Sequence, residues 1–203
     1  GSNAFIILED ANLEKAVAIA VNARMQNAGQ SCIAAKRFLI HQNIANDFIS
    51  QFTKAVHELK TGDALDPKTQ IGSLARVDLA EELDAQVQKS IQMGAKLMLG
   101  GNRKEAFYEP TILTEVTTEM PIFKEETFGP VAAIVTFKNV DEAIKLSNQS
   151  EFGLGVSVFT QNIDVIKNKI TDFNEGAVFI NEMVKSNPRL PFGGVKKSGY
   201  GRE

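Results

Sequence analysis

The stretch Val131-Ala132-Ala133-Ile134-Val135-Thr136-Phe137 decides the fold of this chain, because it is a near-continuous apolar run. Such a run is typical of a strand that is buried on both faces of a parallel sheet. Segments with helical and with strand-like periodicity alternate on either side of it. The alternation predicts an α/β domain whose mostly parallel sheet is flanked by helices.

The remaining elements follow from the same patterns, and Asp10 is the predicted N-cap of the first helix. Helices are predicted over 11–27, 44–59, 76–93, 141–148 and 164–170, and further strands over 37–40, 96–99, 110–113, 155–159 and 177–180. No internal repeat or interdomain linker interrupts them, so we expect one domain over 5–203. The first four residues, GSNA, resemble an expression scar and are predicted to lie outside the fold.

Composition excludes several classes of partner. The 203 residues are 43% hydrophobic and 23% charged, with a formal net charge of −3, which gives no basis for binding nucleic acid or an anionic membrane. No apolar run is long enough to span a bilayer, and no secretory signal is recognisable. A single cysteine without a disulfide framework predicts a reducing compartment, the cytoplasm.

The single cysteine lies in NAGQSCIAA at 27–35, between the end of a helix and the start of a strand. A lone thiol is either a small buried apolar side chain or a nucleophile. The residues 28–31 before it allow the backbone to turn and leave amide groups outside regular structure. Backbone N–H groups beside a thiol stabilise the oxyanion that forms when a thiolate attacks a carbonyl, so this context favours the nucleophile.

Three segments carry motifs of one family in its order. They are MQNAGQSCIA at 25–34, KEETFGPV at 124–131 and LPFGGVKKSGYGRE at 190–203. The first resembles the cysteine motif of the aldehyde dehydrogenase family, the second its Glu-Glu-x-Phe-Gly-Pro-Val cofactor motif, and the third its C-terminal Pro-Phe-Gly-Gly…Ser-Gly-x-Gly-Arg-Glu segment. Together they span almost the whole chain. The sequence is therefore identified as a member of that family, with its three-layer catalytic-domain fold.

The resemblance implies a chemistry for the first two motifs. Cys32 is the nucleophile that adds to an aldehyde, and its own N–H is one arm of the oxyanion hole. The thiohemiacetal gives a hydride to NAD or NADP, and water hydrolyses the resulting thioester. Glu126 holds the ribose hydroxyls on the nicotinamide side, since a carboxylate accepts two bonds from a vicinal diol. Phe128 packs near the same ribose.

The resemblance also implies how a small-molecule aldehyde is bound. Phe192 matches an aromatic residue that lines the aldehyde tunnel, and Glu203 matches a glutamate that assists proton transfer. Ser186 aligns with a serine that holds the distal carboxylate of succinate semialdehyde, and Arg189 lies nearby. The tail of the cysteine motif, CIAAKR at 32–37, is similar to succinate-semialdehyde-dehydrogenase-like members of the family.

Other interpretations remain open for each motif. In these interpretations, Glu126 forms a solvated charge pair with Glu125, and Ser186 only makes a turn. Phe128 and Phe192 are then part of the core. The chain is then a non-catalytic binding or assembly module. A thiol esterase is a further alternative, but it needs His41 or His57 beside the cysteine, and neither is linked to it by a sequence pattern. The two histidines and one cysteine have no metal-ligand spacing, so no metal is expected.

The chain departs from the complete family pattern at both ends. The N-terminal cofactor domain, with the general base and the asparagine of the oxyanion hole, has no counterpart in the sequence, and neither has the final C-terminal strand used in oligomer assembly. We therefore expect a catalytic domain cut from a larger, homo-oligomeric dehydrogenase. By itself it is expected to bind NAD(P) poorly and to show negligible turnover.

Overall fold

A computed structural model describes residues 1–202 of the chain. Its strands are β1 (Asn3–Ile7), β2 (Ala35–His41), β3 (Lys96–Leu99), β4 (Arg103–Lys104), β5 (Phe107–Tyr108), β6 (Thr111–Thr114), β7 (Val131–Phe137), β8 (Phe152–Gly153), β9 (Val156–Phe159), β10 (Val178–Ile180) and β11 (Val195–Lys196). Its α-helices are α1 (Leu13–Met25), α2 (Ala45–His57), α3 (Val77–Gln92), α4 (Pro121–Lys124), α5 (Val140–Asn148) and α6 (Ile163–Lys167). Short 3-10 helices occupy Gln26–Gly29, Gln42–Ile44 and Ile170–Asp172.

Seven of the strands form one sheet in the order β10-β9-β1-β2-β7-β6-β3. All neighbours in it are parallel, except that β3 runs antiparallel to β6 at one edge. The apolar run Val131–Phe137 is β7, between β2 and β6. The predicted α/β class with a mostly parallel sheet is therefore confirmed.

Helices cover both faces of this sheet, as neighbouring residues of β2 show. Phe38 packs its ring against Phe52 of α2, with the centroids 5.2 Å apart. Arg37 donates from its guanidinium to the carbonyl oxygens of Leu146 and Ser147 in α5, at 2.9 and 3.0 Å. Successive side chains of a strand point to opposite faces, so α2 and α5 lie on opposite sides of the sheet. The predicted three-layer arrangement is confirmed.

Each predicted helix and strand is present with its ends shifted by a few residues, but the first N-cap differs. Helix α1 begins after Asn12, whose side chain accepts a hydrogen bond from the Lys15 N–H at 3.0 Å. Asp10, the predicted cap, instead accepts from the backbone N–H groups of Gln161 and Asn162 at 3.0 and 2.8 Å. The reason is topological: Asp10 follows β1, and β9 ends beside it in the sheet.

The first four residues do not lie outside the fold, so that prediction is wrong. Asn3 and Ala4 begin β1, the strand between β2 and β9, and both are buried. Ala4 pairs with Arg37 on one side and with Val156 on the other. These residues are small or form hydrogen bonds, as Asn3 does to the Ile33 carbonyl at 3.1 Å, so they extend the apolar strand that follows them. Their origin in an expression vector stays a prediction.

The helices are short and amphipathic. Helix α3 spans 16 residues and buries Leu83 and Val87 while its polar side chains face outward. Within residues 1–202, no helix has the length and apolar character that crossing a bilayer requires.

Candidate functional site

The sequence motifs meet at one edge of the sheet, which is formed by the amino ends of the parallel strands and is called the amino edge below. Cys32 precedes β2, and Glu126 and Phe128 precede β7. Because β2 and β7 are parallel neighbours, the two loops before them lie side by side. Open parallel sheets usually bind ligands at the carboxyl ends of their strands. The candidate site of this chain lies at the opposite edge.

The loop that carries the cysteine is bent tightly after α1. Asn27 and Ala28 both have a φ of 51°, and Gly29 has a φ of 73°. Cys32 is exposed, which excludes a buried structural thiol. The N–H of Gln30 donates to the Asn27 carbonyl at 3.0 Å, whereas the Cys32 N–H donates no hydrogen bond to any part of residues 1–202. An exposed thiol with a free amide beside it is what an attack on a carbonyl requires.

Arg24, fully buried near the end of α1, joins this loop to the loop before β7. Its guanidinium donates to the carbonyl oxygens of Ala35, Gly29, Thr127 and Gly129. Burial lowers its pKa to about 9. The two loops also approach so closely that a Cβ on Gly29 would overlap the carbonyl of Gly129. The cysteine loop and the Glu126 loop are therefore held as one unit.

Lys36 is a second buried cation at this point. Its ammonium donates to the carbonyl oxygens of Ser31 and Ala34, at 3.0 and 3.2 Å, which flank Cys32 in the chain. The same nitrogen lies 4.0 Å from Glu126 Oε1 and 5.8 Å from the ring centroid of Phe128. Burial, reinforced by repulsion from Arg24, lowers the pKa of Lys36 to about 7.

Glu126 and Phe128 are both accessible from the solvent beside the cysteine. The Glu126 side chain is 31% exposed and its Oε1 contacts the amino group of Gly1, while Oε2 has no partner among residues 1–202. Phe128 is 37% exposed, which excludes a core role. Gln86 of α3 supports the loop by donating to the Glu126 carbonyl at 3.3 Å. The pair can therefore present a carboxylate and an aromatic face to a ligand.

The structure links Ser186 and Phe192 less directly to the cysteine. Ser186 is exposed, and it precedes a turn in which the Leu190 N–H donates to the Asn187 carbonyl at 2.9 Å. Phe192 is partly buried. No hydrogen bond joins either side chain to the cysteine loop within residues 1–202, so their substrate roles stay predictions, as does a role for the exposed Arg189.

The end of the third motif returns to the amino edge. Arg202 donates to the carbonyl oxygens of Gly176 and Gly194, both at 3.3 Å, and Gly176 lies just before β10. Glu203, the predicted proton-transfer residue, lies outside the described residues. The third motif therefore lies beside the sheet as far as Arg202.

A third group of buried charges lies nearby, around Arg37. Its guanidinium donates to the Ser2 carbonyl at 2.7 and 3.0 Å, besides its bonds to α5. Glu175 has its Oε1 buried without a hydrogen-bond partner among the described residues. Burial raises the pKa of Glu175 to about 7, against the opposing effect of Arg37 and Lys196.

Sequence reasoning missed Arg24, Lys36, Arg37 and Glu175. Two signals were available for the cations. Lys36 and Arg37 directly precede the apolar residues 38–40 of β2, and Arg24 lies one helical turn after Ala20 on the buried face of α1. No comparable signal marked Glu175, because its burial depends on strands that are distant in sequence.

Neither histidine lies where a Cys–His pair would need it. His41 is at the carboxyl end of β2, where its Nε2 lies 3.0 Å from the Lys138 carbonyl, at the opposite end of the strand from Cys32. His57 ends α2 and lines a groove with Lys54 and Lys96. A thiol esterase therefore gains no support. Within residues 1–202, no group of three histidine, cysteine or acidic side chains is placed to hold a metal ion.

The fold and the site define a class: three-layer α/β domains with an accessible cysteine and an acidic–aromatic loop at the amino edge of a mostly parallel sheet. Comparison with known proteins identifies the family within that class. Residues 1–203 match the Aldehyde dehydrogenase family, so the chain belongs to it, and residues 1–4 fall inside the match. The membership predicted from the three motifs is confirmed.

Individual relatives are similar over the whole chain. The probable succinate-semialdehyde dehydrogenase [NADP(+)] of Synechocystis sp. is 48% identical over 100% of this chain and 45% of its own length. The succinate semialdehyde dehydrogenase [NAD(P)+] Sad of Escherichia coli has the same identity and coverage. A solved succinate-semialdehyde dehydrogenase from Burkholderia pseudomallei superimposes with a TM-score of 0.96 at 35% identity, over 100% of this chain and 42% of that one. The chain spans less than half the length of these relatives.

Proposed function

We propose that the whole protein containing this chain is an NAD(P)-dependent aldehyde dehydrogenase that oxidises succinate semialdehyde to the carboxylic acid. The observation that carries the proposal is the joining of two loops at the amino edge. The loops of the exposed Cys32 and of the accessible Glu126–Phe128 pair are held together by the hydrogen bonds of Arg24 to both. Lys36 hydrogen-bonds the cysteine loop and lies 4.0 Å from Glu126 Oε1. A nucleophile and a dinucleotide-binding group must lie in such fixed proximity for a bound aldehyde to be oxidised.

Cys32 carries the covalent chemistry in this proposal. Its thiolate adds to the aldehyde carbon, and the oxyanion of the thiohemiacetal receives a hydrogen bond from the free Cys32 N–H. Loss of a hydride from that carbon leaves a thioester on the sulfur. Attack by water then releases the carboxylic acid and restores the thiol, so the cysteine ends the cycle unchanged.

Glu126 and Phe128 fit the ribose and nicotinamide side of a dinucleotide. The Glu126 carboxylate is accessible, has an oxygen without a partner in residues 1–202, and suits a vicinal diol. The exposed ring of Phe128 offers an apolar wall beside it. The dinucleotide, when bound, accepts the hydride. The choice between NAD and NADP is made by residues outside this chain.

The substrate assignment rests on relatives and on the third motif. Proteins named as succinate-semialdehyde dehydrogenases are 48% identical to the chain. In the proposal, Ser186 binds the distal carboxylate with Arg189 adding positive charge, Phe192 lines the aldehyde path, and Glu203 assists proton transfer. The enzyme works in a reducing compartment, the cytoplasm, because an exposed catalytic thiol must stay reduced.

The isolated chain is proposed to turn over little, since it spans 45% of its relatives. The first test compares the 203-residue chain with the whole protein, using succinate semialdehyde with NAD+ or NADP+. Activity in the whole protein that is lost in Cys32→Ser supports the proposal. Turnover that survives Cys32→Ser contradicts the mechanism, and strong NADH production by the isolated chain contradicts the proposed inactivity. Native mass measurement of the whole protein tests the homo-oligomer.

A second test addresses the substrate alone. Butanal has four carbons like succinate semialdehyde, with a methyl group in place of the distal carboxylate, so it serves as a matched substrate. In the whole protein, Ser186→Ala is expected to raise the KM for succinate semialdehyde by about tenfold and to leave the KM for butanal unchanged. An equal effect on both aldehydes would show that Ser186 does not read the carboxylate.

A further inference from the structure

Lys36 places a charged side chain at a buried position of the sheet, where an apolar side chain would pack equally well. Its side chain is 1% exposed, and it lies in β2 between Ala35 and Arg37, in a strand that is buried along its whole length. Burying an ammonium is costly, and a well-packed apolar side chain of similar volume is often at least as stable. Its presence is therefore poorly explained by the stability of the strand.

The contacts of Lys36 indicate what it does. An ammonium has three N–H donors. Two of them go to the carbonyl oxygens of Ser31 and Ala34, on either side of Cys32. The side of the ammonium left over faces Glu126, with Oε1 at 4.0 Å, and the ring of Phe128. One cation thus touches both halves of the candidate site.

We propose that Lys36 is a positioning residue whose positive charge holds the Glu126 carboxylate in place for the dinucleotide and ties that carboxylate to the cysteine loop. This inference rests on the proposed function, because it takes Glu126 as the group that binds the ribose hydroxyls. It adds a determinant of cofactor affinity that lies beneath the surface and touches no ligand.

The environment of Lys36 makes this role depend on pH. In the whole protein, the charged or titratable groups that face it are Arg24 from α1, Glu126 from the loop before β7 and Cys32 from its own loop. Burial is the largest influence and lowers the pKa of Lys36 to about 7. Below that pH the ammonium holds Glu126, and above it the neutral amine does not. Dinucleotide affinity should therefore fall as the pH rises through neutrality.

The experiment measures the dissociation constant of NADP+ for the whole protein by titration calorimetry between about pH 6 and about pH 8.5. Wild type, Lys36→Gln and Lys36→Arg are compared. The Gln side chain keeps amide donors for the two carbonyls and removes the charge, and the Arg side chain keeps a charge at every pH in the range. Protonation of NADP+ itself affects all three proteins equally and cancels in their ratios.

We expect wild-type affinity, taken relative to Lys36→Gln, to fall about three- to fivefold across the range, which is the size of one partly exposed ion pair. Lys36→Arg should keep the higher affinity at the upper end. If Lys36→Gln binds like wild type at every pH, or if Lys36→Arg loses affinity with pH as wild type does, the inference is wrong while the proposed function stands. If the wild type binds neither NADP+ nor NAD+, the proposed function fails and the inference with it; if it binds only NAD+, the same comparison is made with NAD+. Thermal melting shows whether Lys36→Gln is folded. If it is not, the pH dependence of dinucleotide affinity in Lys36→Arg, compared with that of the wild type, decides whether the inference holds.

Discussion

The two edges of the central sheet use polar groups in different ways. At the amino edge, buried cations donate to loop carbonyl oxygens; these cations are Arg24, Lys36 and Arg37. At the carboxyl edge, where β1, β9 and β10 end, exposed or small polar side chains tie neighbouring strand ends together. There Asp10 accepts from Thr160 Oγ1 at 2.8 Å, and Asn181 accepts from the Thr160 N–H at 3.0 Å.

This difference indicates that the amino edge, and not the carboxyl edge, is the functional one. At the carboxyl edge, hydrogen bonds from small polar side chains near the surface are enough to connect neighbouring strand ends. Within residues 1–202, no charge is buried in the sheet there. The amino edge adds three buried charges, those of Arg24, Lys36 and Arg37. Such features are destabilising unless the surroundings compensate, and they concentrate at functional sites. Four substitutions test the comparison, from the largest expected effect to the smallest.

Arg24→Met should have the largest effect. It leaves four carbonyl oxygens without their donor, from Ala35, Gly29, Thr127 and Gly129. We expect the free energy of unfolding of the whole protein to fall by about 4 kcal/mol, measured by urea denaturation. Arg76→Met is the matched control, because Arg76 is exposed and pairs only with Asp78, and it should change nothing measurable. Equal effects would remove the distinction between buried and surface cations.

Gly29→Ala should follow, at about 3 kcal/mol. Gly29 combines a φ of 73° with a Cβ direction that points into the Gly129 carbonyl. Gly94→Ala separates these two causes, because Gly94 has a φ of 110° with nothing within 4 Å of its Cβ position. It should lose only about 1 kcal/mol, the strain of the left-handed conformation. If thermal unfolding shows the same loss for both variants, the close approach of the two loops does not contribute.

Glu175→Gln should alter how stability depends on pH. Burial raises the pKa of Glu175 from 4.5 to about 7, so the folded state binds a proton that the unfolded state has released between those values. Stability supplied by the protonated form is therefore lost as the pH rises from about 4.5 to about 7.

In Glu175→Gln this loss should be absent, and near neutral pH the variant should be more stable than the wild type by about 2 kcal/mol. Urea denaturation at several pH values measures it. A parallel pH dependence in both proteins would mean that Glu175 is not protonated in the folded state.

Asp10→Ala tests the carboxyl edge and should have the smallest effect. Asp10 accepts from Thr160 Oγ1 and from the N–H groups of Gln161 and Asn162, all near the surface, where water can replace it. We expect a loss of about 1 kcal/mol in thermal unfolding. Glu9→Ala removes one exposed hydrogen bond from Asn43 and a 4.0 Å contact with His41 Nε2, and it should lose less stability than Asp10→Ala. A loss at Asp10 as large as that at Arg24 would show that the two edges do not differ.

Local sequence predicted most of the elements but not the first strand. Periodicity in 10–15 residues is enough to define helices such as α2 and α3 and the buried strand β7. No strand is predicted over β1, and the residues at its start, Ser2, Asn3 and Ala4, are small and have no apolar pattern of their own. They are buried because β2 and β9 lie on either side, which no local pattern records.

The candidate site shows the same division. Cys32, Glu126 and Phe128 were found because they lie in contiguous motifs, and the structure brings them together at one edge. The roles of Arg24 and Lys36 were not predicted, because their hydrogen-bond partners are backbone carbonyl oxygens. Every residue has such an oxygen, so no residue type in the sequence indicates these bonds. The closeness of Gly29 to Gly129 is likewise a property of two loops that are adjacent only in the folded sheet.

The position of β1 in the sheet has a consequence for how the chain folds. β1 can pair with β2 once α1 and the loops around it have formed, but its other neighbour, β9, lies far along the sequence at Val156–Phe159. Until β9 arrives, one side of β1 presents unpaired N–H and C=O groups along an apolar strand. Pairing of such distant segments is slow, and an exposed apolar edge invites association between chains. Newly made protein is therefore at greatest risk of aggregation in the interval before β9 pairs with β1.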